Sequence, residues 1–174
     1  CDRPCPCSGS IDCRCACSPD CEFAPQQLSS EKERYPIESK VLPLVFSLSD
    51  MQICQPCWSC EGHQGPSSSS SSSNTDNPIE QTLTKIPQVW FYTNSIILVR
   101  LMDECLSQFR IKKWLNYDWQ VCVTFSDKNS ADCAFALKPE LALEMEPQLK
   151  ALQQDLESLS QRLKTGLLSQ CKIR

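Results

Sequence analysis

Four soft donors recur at three-residue steps in the middle of the chain. They are Cys54, Cys57, Cys60 and His63, in the run Cys54-Gln-Pro-Cys57-Trp-Ser-Cys60-Glu-Gly-His63, and His63 is the only histidine of the 174 residues. Three thiolates and one imidazole are the donor set of a tetrahedral zinc ion, with Zn–S near ~2.3 Å and Zn–N near ~2.0 Å. Cys-x-x-Cys is the usual knuckle step, because a short loop of that length turns both sulfurs inward. One zinc ion held by these four residues is therefore the candidate cofactor. The spacing departs from common zinc modules, which pair two knuckles across a folded stretch, and so tight a loop leaves few surrounding groups to orient the ligands. Disulfides or unreacted thiols account for the same residues. An iron–sulfur cluster needs a fourth cysteine, and a redox Cys-x-x-Cys needs a strand–helix setting that Pro56 and the following residues do not supply.

A second group of thiols precedes this one: Cys1, Cys5, Cys7, Cys13, Cys15, Cys17 and Cys21. Cys-x-Cys steps bring two sulfurs together on a short loop, which can wrap a soft metal or feed crossing disulfides. The first aromatic residue is Phe23, so only cross-links or metal could order this stretch. Metallothioneins use such steps, but seven thiols are few for a multi-metal cluster. The ending Cys15-Ala-Cys17-Ser-Pro-Asp-Cys21 resembles a cysteine motif of the ciliary tectonic proteins, and nothing downstream of Cys21 carries that resemblance. A Cys/Pro tail without order is the plain alternative.

Other chemistry finds little support. With the one histidine inside a cysteine cluster, the rest of the chain offers no Ser/His/Asp or Cys/His constellation. Phosphate-cradling loops need several glycines, and only Gly9, Gly62, Gly65 and Gly166 exist. Asp103-Glu104 and Glu144/Glu146 suit solvated helix faces. The expectation is a protein that is not an enzyme. Arg110, Lys112, Lys113 and Trp114 set basic residues beside an aromatic one, as a nucleic-acid stacking patch would. A solvated helix end explains them better, and the net charge of -4 does not favour nucleic acid. No apolar run approaches the ~18 residues that would span a bilayer.

Cysteine usage bears on the compartment. Ten of the 14 cysteines lie before residue 61, and Cys105, Cys122, Cys133 and Cys171 are scattered singly downstream, as buried thiols commonly are. No Asn-x-Ser/Thr acceptor occurs. Together these favour an intracellular over a secreted protein, and a chain that begins at Cys1 reads as a processed product or a fragment.

The elements that must position these residues fall into unlike halves. Residues 1–65 read as a Cys-rich, largely irregular region. Within it Val41-Leu42-Pro43-Leu44-Val45-Phe46 is apolar, and Pro43 suggests an edge strand or docked loop. Residues 66–78, with seven consecutive serines from Ser67 to Ser73, read as a flexible linker. Residues 79–174 read as a small domain. Val89-Trp90-Phe91-Tyr92 is a strand. Asn94 or Ser95 caps a helix whose apolar residues run from Leu98 to Phe109. Trp119 to Phe125 and Cys133 to Leu137 form a hairpin around a turn at Asp127-Lys128-Asn129-Ser130. A last helix starts near Pro147, carries the stripe Leu149, Leu152, Leu156, Leu159 and Leu163, and is expected to stop at Gly166.

The fold class is thus α+β, of order β-α-β-β-α: an incomplete ferredoxin-like arrangement lacking its last strand. The same order resembles the sheet and exit helix that end topoisomerase-type transducer domains. Neither likeness specifies function. The function expected is a non-catalytic protein-interaction module, or a subunit of a larger complex. It would dock a protein partner through the leucine stripe of the last helix or through a sheet edge. The alternative is a secreted binding module ordered by disulfides or metal, and the alternative for the leucine stripe is that it covers its own sheet.

Overall fold

The structure, a computed structural model, describes residues 37–66, 81–125, 133–141 and 148–172. The first cysteine cluster, the serine run, the turn at Asp127 to Ser130 and Pro147 lie outside the described residues.

The first element corrects the sequence reading. Leu42–Ser49 is a helix, α1, not an edge strand. Pro43 falls in the first helical turn, where a missing N–H breaks no helical bond and the fixed φ suits the helix. Leu44, Val45, Phe46, Ser47, Leu48 and Ser49 are all buried. Burial around most of its circumference therefore holds a helix that has no side-chain cap.

Strand β1 (Gln55–Cys60) follows, and the corner Glu61-Gly62 leads into β2 (His63–Pro66). Then come β3 (Gln81–Lys85), β4 (Gln88–Tyr92), helix α2 (Ile96–Ile111), β5 (Trp119–Phe125), β6 (Cys133–Pro139) and helix α3 (Leu149–Lys172). The main sheet is antiparallel, in the order β1-β4-β6-β5, and β2 pairs with β3 in a second, two-stranded sheet.

From β4 onward the order is the expected β-α-β-β-α. Strands β4 and β5 flank β6 and both run against it, which is the split βαβ of the ferredoxin-like arrangement. The place beside β4 that a final C-terminal strand would fill is taken by β1, from upstream of the serine run. Packing therefore crosses the division drawn at residue 65. Strand β1 pairs with β4, β2 with β3, and α1 packs on α3.

Cross-strand register separates the faces of the sheet. Val89, Leu137 and Val121 form one row and Phe91, Phe135 and Val123 the next. Val89, Phe91, Phe135 and Leu137 are buried in one core with Leu98, Met102, Phe109, Leu156, Leu159 and Leu163 of the helices. On the other face lies the row Trp58, Trp90, Ala136 and Cys122. There the indoles of Trp58 and Trp90 meet with centroids 5.1 Å apart, tilted by 50°.

Leu156, Leu159 and Leu163 of the α3 stripe belong to this core. Leu152, Leu156, Leu159 and Leu163 are 0 % exposed, and Leu149 is partly buried. The helix does not stop at Gly166 but continues to Lys172. Glycine serves close packing there: a Cβ would lie 3.2 Å from Cζ of Phe109 and 3.4 Å from Sγ of Cys105 on α2. A glycine in the middle of a helix costs about 1 kcal/mol against alanine, less than is needed to end a helix with so long a buried stripe.

Helix α2 begins where expected, with Oγ of Ser95 accepting from the N–H of Leu98 at 3.3 Å. Its end is a Schellman turn. The N–H of Lys113 donates to the carbonyl of Arg110, and that of Trp114 to the carbonyl of Phe109. Phe109 and Trp114 make the accompanying apolar contact, with centroids 5.6 Å apart. Lys112 and Arg162 lie over the Trp114 ring at 4.6 and 4.5 Å. The basic and aromatic residues noted in the sequence are thus a helix terminus.

Among the described residues, one charged side chain is fully buried. Asp155 on α3 is 0 % exposed and anchors the segment between α2 and β5. Its Oδ1 accepts from the N–H and Nδ2 of Asn116 at 2.8 and 2.9 Å. Its Oδ2 accepts from the N–H of Tyr117 and Nε1 of Trp119, both at 3.0 Å. The Tyr117 hydroxyl in turn accepts from the N–H of Gln148 at 2.8 Å, holding the start of α3.

Candidate metal centre

The corner between β1 and β2 brings functional side chains together. Strand β1 pairs with β4 as far as Cys60 opposite Gln88, and β2 with β3 from His63 opposite Lys85. Both ribbons must bend between these rows, at Glu61-Gly62 on one side and Ile86-Pro87 on the other. Gly62 has φ 86°, and a Cβ there would stand 2.8 Å from Cγ of Pro87 and 2.7 Å from Cδ1 of Leu149. Only glycine fits both the conformation and the space. The bend returns His63 to the neighbourhood of Cys60.

A third residue arrives from before α1. One ligand atom each of Glu38, Cys60 and His63 lies within 4.8 Å of the other two. Nε2 of His63 is 2.8 Å from Oε1 of Glu38. The other carboxylate oxygen of Glu38 accepts from the N–H of Glu61 at 2.7 Å, and Oε2 of Glu61 accepts from the N–H of Lys40 at 2.8 Å. The two glutamates thereby tie the segment before α1 to the corner. Further bonds fix the corner itself. The Gly62 N–H donates to Sγ of Cys60 at 3.4 Å, the Thr84 hydroxyl to the His63 carbonyl at 3.1 Å, and Nε2 of Gln153 to the Glu61 carbonyl at 3.3 Å.

The electrostatics distinguish the thiols. Burial raises the Cys60 thiol above its ordinary value of 9.0; the Gly62 N–H opposes this and the Glu38 charge adds to it. Cys60 is thus a protonated thiol near neutral pH, from which a bound metal ion would displace the proton. Cys54 is a different case: burial in the apolar core pushes its thiol up to about 12.

Of the four ligands expected from the sequence, the structure brings Cys60 and His63 together. It places Cys54 in the core cluster, and Cys57 is buried within β1, outside the group formed with Glu38. A three-residue step suits a knuckle, but on an extended strand, whose side chains alternate faces, it separates successive thiols. The bulge between Pro56 and Trp58 further breaks the repeat. Glu38 was missed because it lies outside the run of soft donors and joins it only through the docking of α1.

The group could hold a metal ion. Its donors are a carboxylate oxygen, a thiol sulfur and an imidazole nitrogen. Ligand atoms around zinc stand roughly 3.3–3.8 Å apart when its bonds are about 2.0–2.3 Å, so modest side-chain movement would close them on one ion.

No protein-family model, curated protein or solved structure matches the chain. Among the described residues no helix is long and apolar enough to cross a membrane.

Proposed function

We propose that the protein is a non-catalytic interaction module in which one zinc ion, held by Glu38, Cys60 and His63, ties the segment before α1 to the β1–β2 corner. The observation that carries this reading is the convergence of three different donor types, from two distant parts of the chain, within 4.8 Å. Carboxylate, thiolate and imidazole together suit zinc better than a hard cation, which takes oxygen ligands, or copper(I), which prefers sulfur. A protonated, buried thiol is a poor nucleophile, which supports a structural role over a catalytic one. Docking falls to the sheet rather than to the leucine stripe, since the stripe is occupied by the protein's own core.

The test is a comparison of zinc content in the reduced full-length chain. Other cysteines in the chain can take up metal, so the informative quantity is the difference between variants. His63→Ala and Cys60→Ser should each bind one equivalent less than the parent protein, and zinc should raise the unfolding temperature of the parent only. Equal zinc content and equal stabilisation in all three would overturn the assignment.

A further inference from the structure

We infer that the outer edge of β5 pairs with β5 of a second copy of this chain, antiparallel and about a twofold axis at Cys122. The inference concerns the sheet and stands independently of the metal.

The strand reads Trp119-Gln-Val-Cys-Val-Thr-Phe125, and its residue types are symmetric about the centre. Antiparallel pairing centred on Cys122 sets Trp119 opposite Phe125, Gln120 opposite Thr124, and Val121 opposite Val123, twice over, with Cys122 opposite itself. The inner rows then join polar to polar and β-branched to β-branched, pairings that stabilise antiparallel strands. A twofold interface demands this self-complementarity. The faces also agree, because every proposed pair joins positions of the same parity.

Charge is compatible. Strand β5 carries no charged residue, so self-pairing opposes no like charges. It also lacks the devices that normally block an edge, namely lysine, proline or a bulge. Its register with β6 runs unbroken from Trp119 to Phe125. Among the described residues no strand pairs with its outer side, where alternate N–H and C=O groups point away from β6.

The cover on the helical side stops short of this edge. Val123 shares a row with the buried Phe91 and Phe135 yet is 59 % exposed. Val121 of the second copy would lie beside it and shield it.

The test uses two double variants of the full chain, studied in reductant by sedimentation over a hundredfold range of concentration. Both carry Gln120→Glu, which faces Lys138 within the chain, and they differ only at position 124. With Thr124→Lys each cross-dimer row becomes a Glu–Lys pair, and with Thr124→Glu a Glu–Glu pair. The parent and the Q120E/T124K chain should form dimers, whereas Q120E/T124E should need at least tenfold higher concentration to associate. A parent that stays monomeric throughout, or variants that associate alike, would overturn the inference. Loss of zinc binding would leave the dimer intact, so the two proposals fail separately.

Discussion

At the β1 flank of the sheet, the groups that tie helix to strand are partly open to solvent. Glu38 and His63 keep 34 % and 43 % of their side-chain surface exposed, and their bonds run between groups that water could also satisfy. At the β5 flank the same task falls to Asp155, which is fully buried and saturated by donors from Asn116, Tyr117 and Trp119. The first arrangement is partly accessible and belongs to a group that could hold a metal ion. The second is buried, with both carboxylate oxygens already engaged. The strand edges are disposed the other way: β1 carries Pro56 and a bulge, while β5 is regular and uncharged. One flank therefore offers side-chain chemistry and the other offers backbone.

The sharpest way to break this contrast is to remove the two carboxylates in turn. Asp155→Ala leaves the buried Nε1 of Trp119 and three partly buried donors of Asn116 and Tyr117 without their acceptor; a buried orphan donor costs about 1–3 kcal/mol, and the total loss in urea unfolding should be about 3 kcal/mol. Asp155→Asn keeps one oxygen and should cost about half as much. Glu38→Ala in metal-free protein should cost less than about 1 kcal/mol, because water can replace the carboxylate at a site partly open to solvent. Comparable losses at both positions would abolish the distinction.

The thiols sharpen it further. In the folded protein Cys54 is raised to about 12, from 9.0 when exposed. Between these values the unfolded chain releases a proton that the folded chain retains, so stability falls as pH rises through the window, by about 1.4 kcal/mol per unit. Near pH 10.5 the loss from this residue should reach about 2 kcal/mol. Replacing Cys54 by Ala should flatten the slope of stability against pH there, although it lowers stability at neutral pH by leaving a cavity. Identical slopes in the two proteins would place Cys54 outside the core.

Cys60 reports the opposite behaviour, as a thiol that metal can reach. Zinc must displace its proton, and the thiol is raised above 9.0, so from neutral pH upward each added pH unit should strengthen zinc binding by up to about tenfold, or about 1.4 kcal/mol. Competition against a chelator of known affinity at several pH values measures this. The parent protein should show this dependence for one equivalent of zinc more than Cys60→Ser, whose remaining uptake belongs to the other cysteines.

How much of this was legible in the sequence follows the same division. The downstream elements announce themselves by period: Leu98 to Phe109 at helical steps, and Val89 to Tyr92 as a β-branched and aromatic run, because local pattern and burial agree there. The role of Leu152, Leu156, Leu159 and Leu163 was open between core and partner, since an apolar stripe looks the same in either. Gly166 and Pro43 misled for a shared reason. Each is a helix breaker in isolation, yet one sits where α2 needs room and the other where a helix has no N–H bond to lose. Of the group that could hold a metal ion, Cys60 and His63 belong to the run of soft donors that the sequence displays. Glu38 carries no such signal, because it lies outside that run and is joined to it by the docking of α1, a nonlocal packing with no periodic signature.

The smallest effect isolates conformation from charge at the end of α2. Lys113 holds the left-handed position of the Schellman turn at φ 52°, where a side chain costs about 1–2 kcal/mol relative to glycine. Its N–H donates to the Arg110 carbonyl, a bond that glycine keeps. Lys113→Gly should therefore stabilise the protein by about 1 kcal/mol, a rise of a few degrees in Tm. Lys113→Ala removes the charge but keeps a Cβ, so it should leave Tm nearly unchanged. If alanine stabilised as much as glycine, the gain would come from relieving repulsion among Arg110, Lys112 and Lys113. If neither did, the turn would have to be held some other way, and the packing of Trp114 on Phe109 would lose its explanation.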